Sequence, residues 1–371
     1  MSRTAGATEA VGVPASIRPA PQAGARAKIA AFIRLSRLRF LLESLLLVTA
    51  GTMAASFVGH PLSWGGYLMA QAVAWGIHLM VHYCNEYFDL EADVAQLSPT
   101  QWTGGSRVLA GGELRPVVSL AAAFISLFVV LGLVIALSSG VERVIALAAV
   151  ALAWFYTAPP LRLNYVGMGE ITTAMVLNVL WPALAFHLQA KQFEPLLLAV
   201  VLPPFLLMTA RMMVMNFCDS EADLSVGKRT LPNLLGPRRA AVTYTALQII
   251  AYGLIVAFFA TGVLPWPAAV LMLATAVLGG RLAVGLFRDP PSAQPPERAG
   301  ITARRATTHI HMVTFAGTVG LLVAALLPDA EADGAGVILG GALTVGYLVL
   351  FAAQRLHLRR ATPTTPEEEP A

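Results

Sequence analysis

Two short acidic motifs contain residues spaced as ligands on one face of a helix. The first motif contains Asn85, Asp89 and Asp93, and the second contains Asp219 and Asp223. Residues four apart in an α-helix lie one above the other, so each motif predicts a stripe of oxygen ligands. Facing stripes of carboxylates repel one another unless a cation lies between them. Carboxylates and phosphate oxygens are ligands that Mg²⁺ prefers, so the spacing predicts a magnesium-diphosphate site in which all five residues are metal ligands.

Basic residues near both motifs indicate how a diphosphate would be held. Arg107 and Lys228 lie in the loops that follow the two motifs, where they could hydrogen-bond phosphate oxygens. Arg211 lies eight residues before Asp219 on the same helical face, and a buried arginine needs an anionic partner such as diphosphate or the aspartates. Arg37 precedes the first apolar run, where its side chain could reach inward or extend to the lipid headgroups.

Polar side chains continue inward from the first motif. His82, His78 and Gln71 lie on the same helical face as Asn85, and this face could form the wall of an acceptor pocket. Such residues also serve as interhelical hydrogen bonds in membrane proteins, and Tyr156 leaves the same two interpretations open. Some methionines could line a site for a lipid tail or pack in the core: Met208, Met212, Met213 and Met215.

The composition predicts a membrane protein. Of the 371 residues, 57% are hydrophobic and 12% are charged, whereas soluble domains carry about 25% charged residues. Apolar runs of about 20 residues, each long enough to cross a bilayer, recur along the chain. The basic residues behind the net charge of +4 lie in short loops and form no patch interleaved with aromatic residues. We therefore expect the lipid bilayer as a partner, and no nucleic acid.

The apolar runs predict an all-α, polytopic bundle of nine to ten transmembrane helices around a central cavity. The acidic motifs end the second and sixth runs. This spacing predicts two four-helix repeats that place the motifs opposite one another. The tenth run is short and rich in glycine, so whether it spans the membrane is open. The runs are 39–58, 64–88, 117–138, 142–157, 169–189, 195–218, 240–262, 265–287, 307–327 and 336–355.

Positive charge orients the predicted bundle. The loops after the even-numbered runs and the N-terminal flank carry most of the arginine and lysine, which marks the cytosolic side. Both termini and both motifs should then face the cytosol from the cell (inner) membrane. Residues 1–28 lack the apolar core of a signal peptide and are predicted to be a disordered tail, as are residues 361–371. Residues 29–327 would form the main membrane domain, and residues 328–360 an extra transmembrane helix.

These motifs resemble those of the UbiA superfamily of intramembrane prenyltransferases. That superfamily carries an Asn-x-x-x-Asp-x-x-x-Asp motif, matched by Asn85, Asp89 and Asp93, and an Asp-x-x-x-Asp motif, matched by Asp219 and Asp223. The resemblance covers residues from about 30 to 327. It implies nine helices around a cavity, a diphosphate site under a cytosolic cap, and a lateral opening toward lipid. Several segments are similar to the branch that contains 1,4-dihydroxy-2-naphthoate prenyltransferases: 85–89, 104–109, 156–160, 169–170 and 227–231.

The resemblance implies Mg²⁺-dependent transfer of a polyprenyl group from a prenyl diphosphate to a hydrophobic aromatic acceptor. The acceptor would be 1,4-dihydroxy-2-naphthoate or a related quinone precursor, as in menaquinone biosynthesis. Lys228 and Arg107 would contact the diphosphate. Many relatives have an asparagine four residues before the second motif's first aspartate. Here that position is Met215, so Asn216, one residue later, is taken as the corresponding substrate contact.

Two other functions stay open from the sequence. The same ionisation of a prenyl diphosphate without an acceptor would make the protein a membrane terpene cyclase. A transporter could use the acidic pairs as an ion path and the repeats as moving halves. Against a transporter, the acids cluster at one membrane face instead of the midplane.

Overall fold

Every regular element that the structure describes is helical, which confirms the predicted all-α class over those residues. Most of the two predicted terminal tails lies outside the described residues. The described parts of the tails, residues 24–28 and 361, belong to or adjoin the first helix, which begins at Ala25, and the last helix, which ends at Ala361. The computed structural model describes residues 24–100, 102–328 and 330–361.

The first half of the bundle closely follows the predicted apolar runs. Its helices are α1 (Ala25–Leu35), α2 (Leu41–Phe57), α3 (Trp64–Phe88), α4 (Leu90–Ala95), α5 (Pro116–Ala136), α6 (Gly140–Trp154), α7 (Gly169–Met175) and α8 (Trp181–Ala190). A π-helical turn, Val176–Leu180, joins α7 to α8 without interrupting the helical backbone. Short 3₁₀ turns form at Leu38–Phe40 and Leu163–Tyr165.

The second half follows the same order of long and short helices around its acidic motif. Its helices are α9 (Pro195–Cys218), α10 (Ser220–Ser225), α11 (Leu231–Ala260), α12 (Trp266–Ala274), α13 (Ala276–Arg288), α14 (Pro296–Ala325) and α15 (Gly334–Ala361). A 3₁₀ turn, Pro291–Ala293, precedes α14. The helix α11 is bent at Gly236, whose φ of 73° and ψ of 166° are not helical, and the following Pro237 removes a backbone donor.

Among the described residues, seven helical segments are long and apolar enough to cross a membrane. They are Ala25–Phe57, Pro116–Ala136, Gly169–Ala190, Pro195–Cys218, Leu231–Ala260, Trp266–Arg288 and Pro296–Ala325. Large apolar side chains such as Ile125, Phe128 and Ile249 are more than half exposed on the outside of the bundle, as suits a lipid-facing surface. The protein is therefore an integral, multi-pass membrane protein. The finer prediction of nine to ten spans in two four-helix repeats stays a prediction.

Each acidic motif lies where a long helix gives way to a six-residue helix. Asp89 caps α3 with φ −100° and ψ 7°, and Asp219 caps α9 with φ −103° and ψ 6°. The backbone N–H of Asp89 still donates to Asn85 O (2.8 Å), and that of Asp93 to Asp89 O (3.0 Å). The helical stripe therefore continues across the break. The two short helices, α4 and α10, pack against each other, which brings the motifs together.

The C-terminal helix α15 packs along α2 and α14. Two of its glycines make this close approach possible. A Cβ at Gly336 would overlap Ser56 Oγ, and a Cβ at Gly340 would overlap Met53 Sδ. The side chain of Asp333 accepts hydrogen bonds from the backbone N–H groups of Leu62 (3.1 Å) and Gly336 (2.7 Å), which fixes the start of the helix. α15 is thus a packed part of the bundle.

Candidate active site

A cavity between the helices collects every predicted site residue except Arg107. The acidic helices α4 and α10 close one end of it, and the other end lies within the bundle among α2, α3, α9 and the α7–α8 segment. The predicted site residues that line it are Arg37, His78, His82, Asn85, Asp89, Asp93, Tyr156, Arg211, Asn216, Asp219, Asp223 and Lys228.

Lys228 joins the two acidic motifs. Its ammonium Nζ lies 2.8 Å from Asp89 Oδ2 and 3.2 Å from Asp223 Oδ1, and all three side chains are largely buried. Burial alone would lower the pKa of Lys228, but the carboxylates of Asp89 and Asp223 outweigh it and raise that pKa well above its ordinary value. Carboxylates from both motifs therefore share one cation, as the facing stripes predict.

Burial also makes ionisation of the other acids costly. It raises the pKa of Asp223 to about 7 although Lys228 opposes the shift. Burial raises the pKa of Asp219, and it raises that of Asp93 well above its ordinary value, with the charge of Asp89 adding to the effect. A further cation at this end of the cavity would favour the ionised carboxylates, so the acids form a site for positive charge.

An aromatic side chain that the sequence analysis did not single out holds the first motif. The hydroxyl of Tyr165 donates to Asp89 Oδ1 at 2.9 Å. The guanidinium of Arg162 stacks over the Tyr165 ring, 3.6 Å from its centroid. Both residues belong to the connection between α6 and α7, which sequence separation alone does not place beside α3. The second oxygen of Asp89 thus stays available to Lys228.

Arg107 lies outside the cavity lining, unlike the other predicted site residues. Its guanidinium donates to the backbone oxygen of Asp93, and to that of Gln96 at 3.3 Å. Its φ of 65° places it in the left-handed region. In this structure Nη1 of Arg107 therefore fixes the loop that follows the first motif, and the predicted contact of Arg107 with a diphosphate stays a prediction.

That loop, described at residues 96–100 and 102–107, lines the acidic end of the cavity with Gln96 and with residues 102–105. Gln96 donates to Asp219 Oδ1 at 2.6 Å, which ties the first loop to the second motif. Ser106 donates to the buried Glu86 through its backbone N–H (2.6 Å) and its hydroxyl (2.7 Å). Gly105, with φ of 70°, lies so close to the Asp93 carboxylate that a Cβ would overlap it. Only glycine combines this backbone angle with this approach.

Both asparagines of the motifs are held by residues outside their own helices. Asn85 Oδ1 accepts a hydrogen bond from Thr157 Oγ1 at 2.7 Å. Asn216 Nδ2 donates to Glu170 Oε1 at 2.7 Å, and the same oxygen accepts from Leu231 N at 3.0 Å. Thr157 thus holds the Asn85 side chain, and Asn216 links α9 to α7. Their partners come from distant parts of the chain and could not be identified from local spacing.

Arg211 has a different anionic partner from those the sequence predicts. Its Nη1 lies 3.8 Å from Glu43 Oε1, and its Nε donates to Thr307 Oγ1 at 3.3 Å. His311 Nε2 also approaches Glu43 Oε1, at 3.2 Å. Glu43 was missed because it lies in the first turn of α2 within an apolar run, and only the fold places it opposite α9 and α14.

The wall between the two ends of the cavity is polar and aromatic. The rings of His78 and His82 are 4.6 Å apart, and His78 lies 5.2 Å from the ring of Trp181. His82 Nδ1 lies 3.1 Å from Ser36 O, and Arg37 Nη1 lies 3.8 Å from the carboxylate of Glu86. This wall therefore has flat faces that suit an aromatic ring.

Some residues of the predicted inner pocket face elsewhere. Gln71 donates to Ser44 Oγ at 3.4 Å in the packed region between α3 and α2, and it does not line the cavity. Met212 and Met215 line the cavity, whereas Met208 and Met213 are buried in the core. A helix face read from the sequence includes both cavity-facing and core-facing positions, because neighbouring helices decide which ones open to the cavity.

Comparison with known proteins agrees with this geometry. Residues 44–301 match the UbiA prenyltransferase family. The chain is 26% identical over 235 residues to a 1,4-dihydroxy-2-naphthoate octaprenyltransferase of Bacillus subtilis (strain 168), which covers 63% of this chain and 75% of the relative. It is 28% identical over 277 residues to the enzyme of the same name from Mycobacterium tuberculosis (strain ATCC 25618 / H37Rv), covering 71% and 92%.

Solved structures share the fold at low sequence identity. A UbiA homologue from Aeropyrum pernix K1 superimposes with a TM-score of 0.58 at 16% identity, covering 78% of this chain and 98% of that one. A UbiA homologue from Archaeoglobus fulgidus, solved with GPP and Mg²⁺, gives a TM-score of 0.55 at 18% identity, covering 78% and 99%.

Proposed function

The chain belongs to the UbiA prenyltransferase family and is a prenyltransferase, and from this premise we propose its substrates and its cofactor. It transfers a polyprenyl group from an allylic prenyl diphosphate to a hydrophobic aromatic acceptor with Mg²⁺. The observation that carries the proposal is the bridge of Lys228 to Asp89 and Asp223, which puts both acidic motifs around one position for positive charge.

The donor set at the acidic end suits Mg²⁺. Among the described residues, no three acidic, histidine or cysteine side chains converge as a ready-made metal cage. Mg²⁺ does not require one, since it is usually bound by one or two carboxylates together with water and substrate phosphates. Asp89 and Asp93 on one side and Asp219 and Asp223 on the other would hold the metal, with Asn85 as a neutral ligand. Bound Mg²⁺ would neutralise charge on the departing diphosphate.

The protein's own residues then have separate tasks. Lys228, buried between the motifs, hydrogen-bonds the oxygens of the diphosphate. Tyr165 and Gln96 keep Asp89 and Asp219 in place. The apolar wall formed by Ile77, Val176, Leu177 and Met212 excludes water from the carbocation-like centre.

The transfer is an electrophilic aromatic substitution. The bond between the allylic carbon and oxygen breaks, and its electron pair leaves with the diphosphate. An electron pair of the aromatic ring forms the new carbon–carbon bond. Loss of a proton from the attacked ring carbon restores aromaticity, or loss of CO₂ does so where that carbon carries a carboxylate. The acceptor that we propose is 1,4-dihydroxy-2-naphthoate or a related quinone precursor, on the basis of the two named relatives.

We also propose that the acidic end faces the cytosol. The basic loops with Arg107 and Lys228 adjoin this end, as the positive-inside rule requires. Residues 29–327 form the catalytic membrane domain in this proposal, and α15 is an accessory transmembrane helix.

The experiment is product analysis by mass spectrometry with full-length protein in membranes, Mg²⁺, a prenyl diphosphate and 1,4-dihydroxy-2-naphthoate. Asp89→Asn and Asp219→Asn should each lower prenyl transfer at least about 100-fold, because each removes a charge that stabilises the departing diphosphate. Asp289→Asn is the matched control, since Asp289 is 44% exposed and pairs with Arg298. Full activity in both site variants would refute the proposal. A cyclic terpene formed without acceptor would identify a cyclase instead.

A further inference from the structure

A buried polar cluster occupies the inner end of the cavity, away from the acidic motifs. Glu43 of α2, Arg211 of α9 and His311 of α14 meet there, with side chains 5%, 7% and 13% exposed. Thr307, one turn before His311, accepts from Arg211 Nε. Burying a charged side chain within a membrane bundle costs free energy. Ionisable residues inside membrane-spanning segments therefore indicate a functional site.

The carboxylate of Glu43 accepts fewer hydrogen bonds than that of Glu142, a second buried glutamate of the same protein. Glu142, completely buried, accepts hydrogen bonds from Lys191 Nζ (2.7 Å), Ser138 Oγ (3.0 Å) and Ser139 N (3.1 Å). Glu43 Oε1 pairs with His311 Nε2 at 3.2 Å and with Arg211 Nη1 at 3.8 Å, and among the described residues no backbone N–H or hydroxyl group donates to it. Glu43 lines the cavity, and Glu142 does not. A buried carboxylate with unused acceptor capacity, facing a cavity, is suited to a donor on a ligand.

The position of the cluster matches the acceptor better than the diphosphate or the lipid tail. Arg211 lies eight residues before Asp219 and His78 eleven before Asp89, which is about 12 and 16 Å along their helices at 1.5 Å per residue. The diphosphate belongs at the aspartates, too far away to use Glu43. A prenyl tail has no polar hydrogen to donate. The rings of His78 and Trp181, 5.2 Å apart, line the same cavity and offer flat faces against which an aromatic ring could pack.

We propose that Glu43 accepts a hydrogen bond from a ring hydroxyl of the aromatic acceptor, with Arg211 and His311 holding its charge. The inference rests on the proposed function and narrows its substrate class to hydroxylated arenes. The hydrogen bond orients the ring toward the allylic carbon. It also increases electron density on the ring oxygen, and through it on the ring carbon that attacks. A carboxylate group on the acceptor must point away from Glu43, because like charges repel.

The test asks whether the Glu43 carboxylate is responsible for any preference of the protein for ligands with a ring hydroxyl. Binding of 4-hydroxy-2-naphthoate, whose hydroxyl is not adjacent to the carboxylate, and of 2-naphthoate is measured by competition against the acceptor, for the wild-type protein and for Glu43→Gln. The wild type should bind the hydroxylated ligand at least about 10-fold more tightly, since a hydrogen bond to a charged group is formed only with it. Glu43→Gln should lose this preference and lower kcat/KM for the acceptor about 100-fold, with KM for prenyl diphosphate unchanged.

Glu142→Gln is the matched control, because it makes the same change in an equally buried glutamate outside the cavity. It should keep the hydroxyl preference. An equal preference in the wild type and Glu43→Gln would overturn the inference, as would its absence in the wild type. If Glu43→Gln does not fold, Glu43→Asp withdraws the carboxylate by one CH₂ group and should lose the preference too. Asp89→Asn and Asp219→Asn keep the two proposals separate, since full activity in both refutes the function itself.

Discussion

At the scale of single residues, the site depends on how buried charges are balanced. At the acidic end Asp89 and Asp223 contact one ammonium, that of Lys228, and Asp93 and Asp219 line the same cavity. The inner end balances a carboxylate with a guanidinium and an imidazole. Burial makes each pairing stronger than it would be in water, and it makes the removal of one partner costly. The acidic end therefore suits a further cation, whereas the inner end, where the charges are balanced, suits a neutral hydrogen-bond donor.

Lys228→Met tests the acidic end. The change removes the buried cation that we assign to the diphosphate oxygens, and a hydrogen bond to a charged group contributes about 1.5–3 kcal/mol. We expect kcat/KM for the prenyl diphosphate to fall roughly 10- to 100-fold, measured by steady-state kinetics in membranes. Lys191→Met is the control, because Lys191 is 55% exposed and pairs with Glu142 away from the cavity. Equal kinetics in both variants would contradict the role of Lys228.

At the scale of helices and loops, the sequence spacing predicted which residues share one face of the same helix. The stripe of Asn85, Asp89 and Asp93 was predictable because the i→i−4 hydrogen bonds continue through the break at Asp89. The partners of these residues were not, because Tyr165 and Thr157 come from the α6–α7 connection. Arg107 shows the limit most clearly. Its position in the loop was evident, but the hydrogen bonds of its Nη1 to the backbone carbonyls of Asp93 and Gln96 arise only in the folded loop.

The loop of residues 96–107 gives a prediction at this scale. Gly105→Ala should destabilise the loop and lower activity, because Gly105 has φ of 70° and its Cβ would overlap the Asp93 carboxylate. Gly262→Ala is the matched control: Gly262 has φ of 74° and open space around its Cβ. Both variants should lose about 1–2 kcal/mol from the left-handed backbone. Only Gly105→Ala should lose prenyl transfer, measured beside the midpoint of thermal unfolding.

At the scale of the whole molecule, the bundle combines a polar cavity with an apolar outer surface. The family match ends at residue 301, yet α14 and α15 extend well beyond it and pack against α2. The ring of Tyr347 on α15 lies 6.2 Å from that of His311, so the C-terminal helix reaches the cluster that contains Glu43. The inner end of the cavity is therefore supported from outside the matched region, which explains why motifs alone did not predict it.

The orientation of the bundle gives the last prediction. If the acidic end faces the cytosol, residues at the two ends of α9 must lie on opposite sides of the membrane. Leu97, 90% exposed beside the acidic motifs, and Phe193, 52% exposed before α9, are suitable positions for single cysteines once Cys84 and Cys218 are changed to serine. In intact cells a membrane-impermeant thiol reagent should label Phe193→Cys and leave Leu97→Cys unlabelled. Inverted vesicles should give the reverse pattern. Labelling of Leu97→Cys in intact cells would place the acidic end outside the cytosol, and the basic loops would then not determine the orientation of this protein.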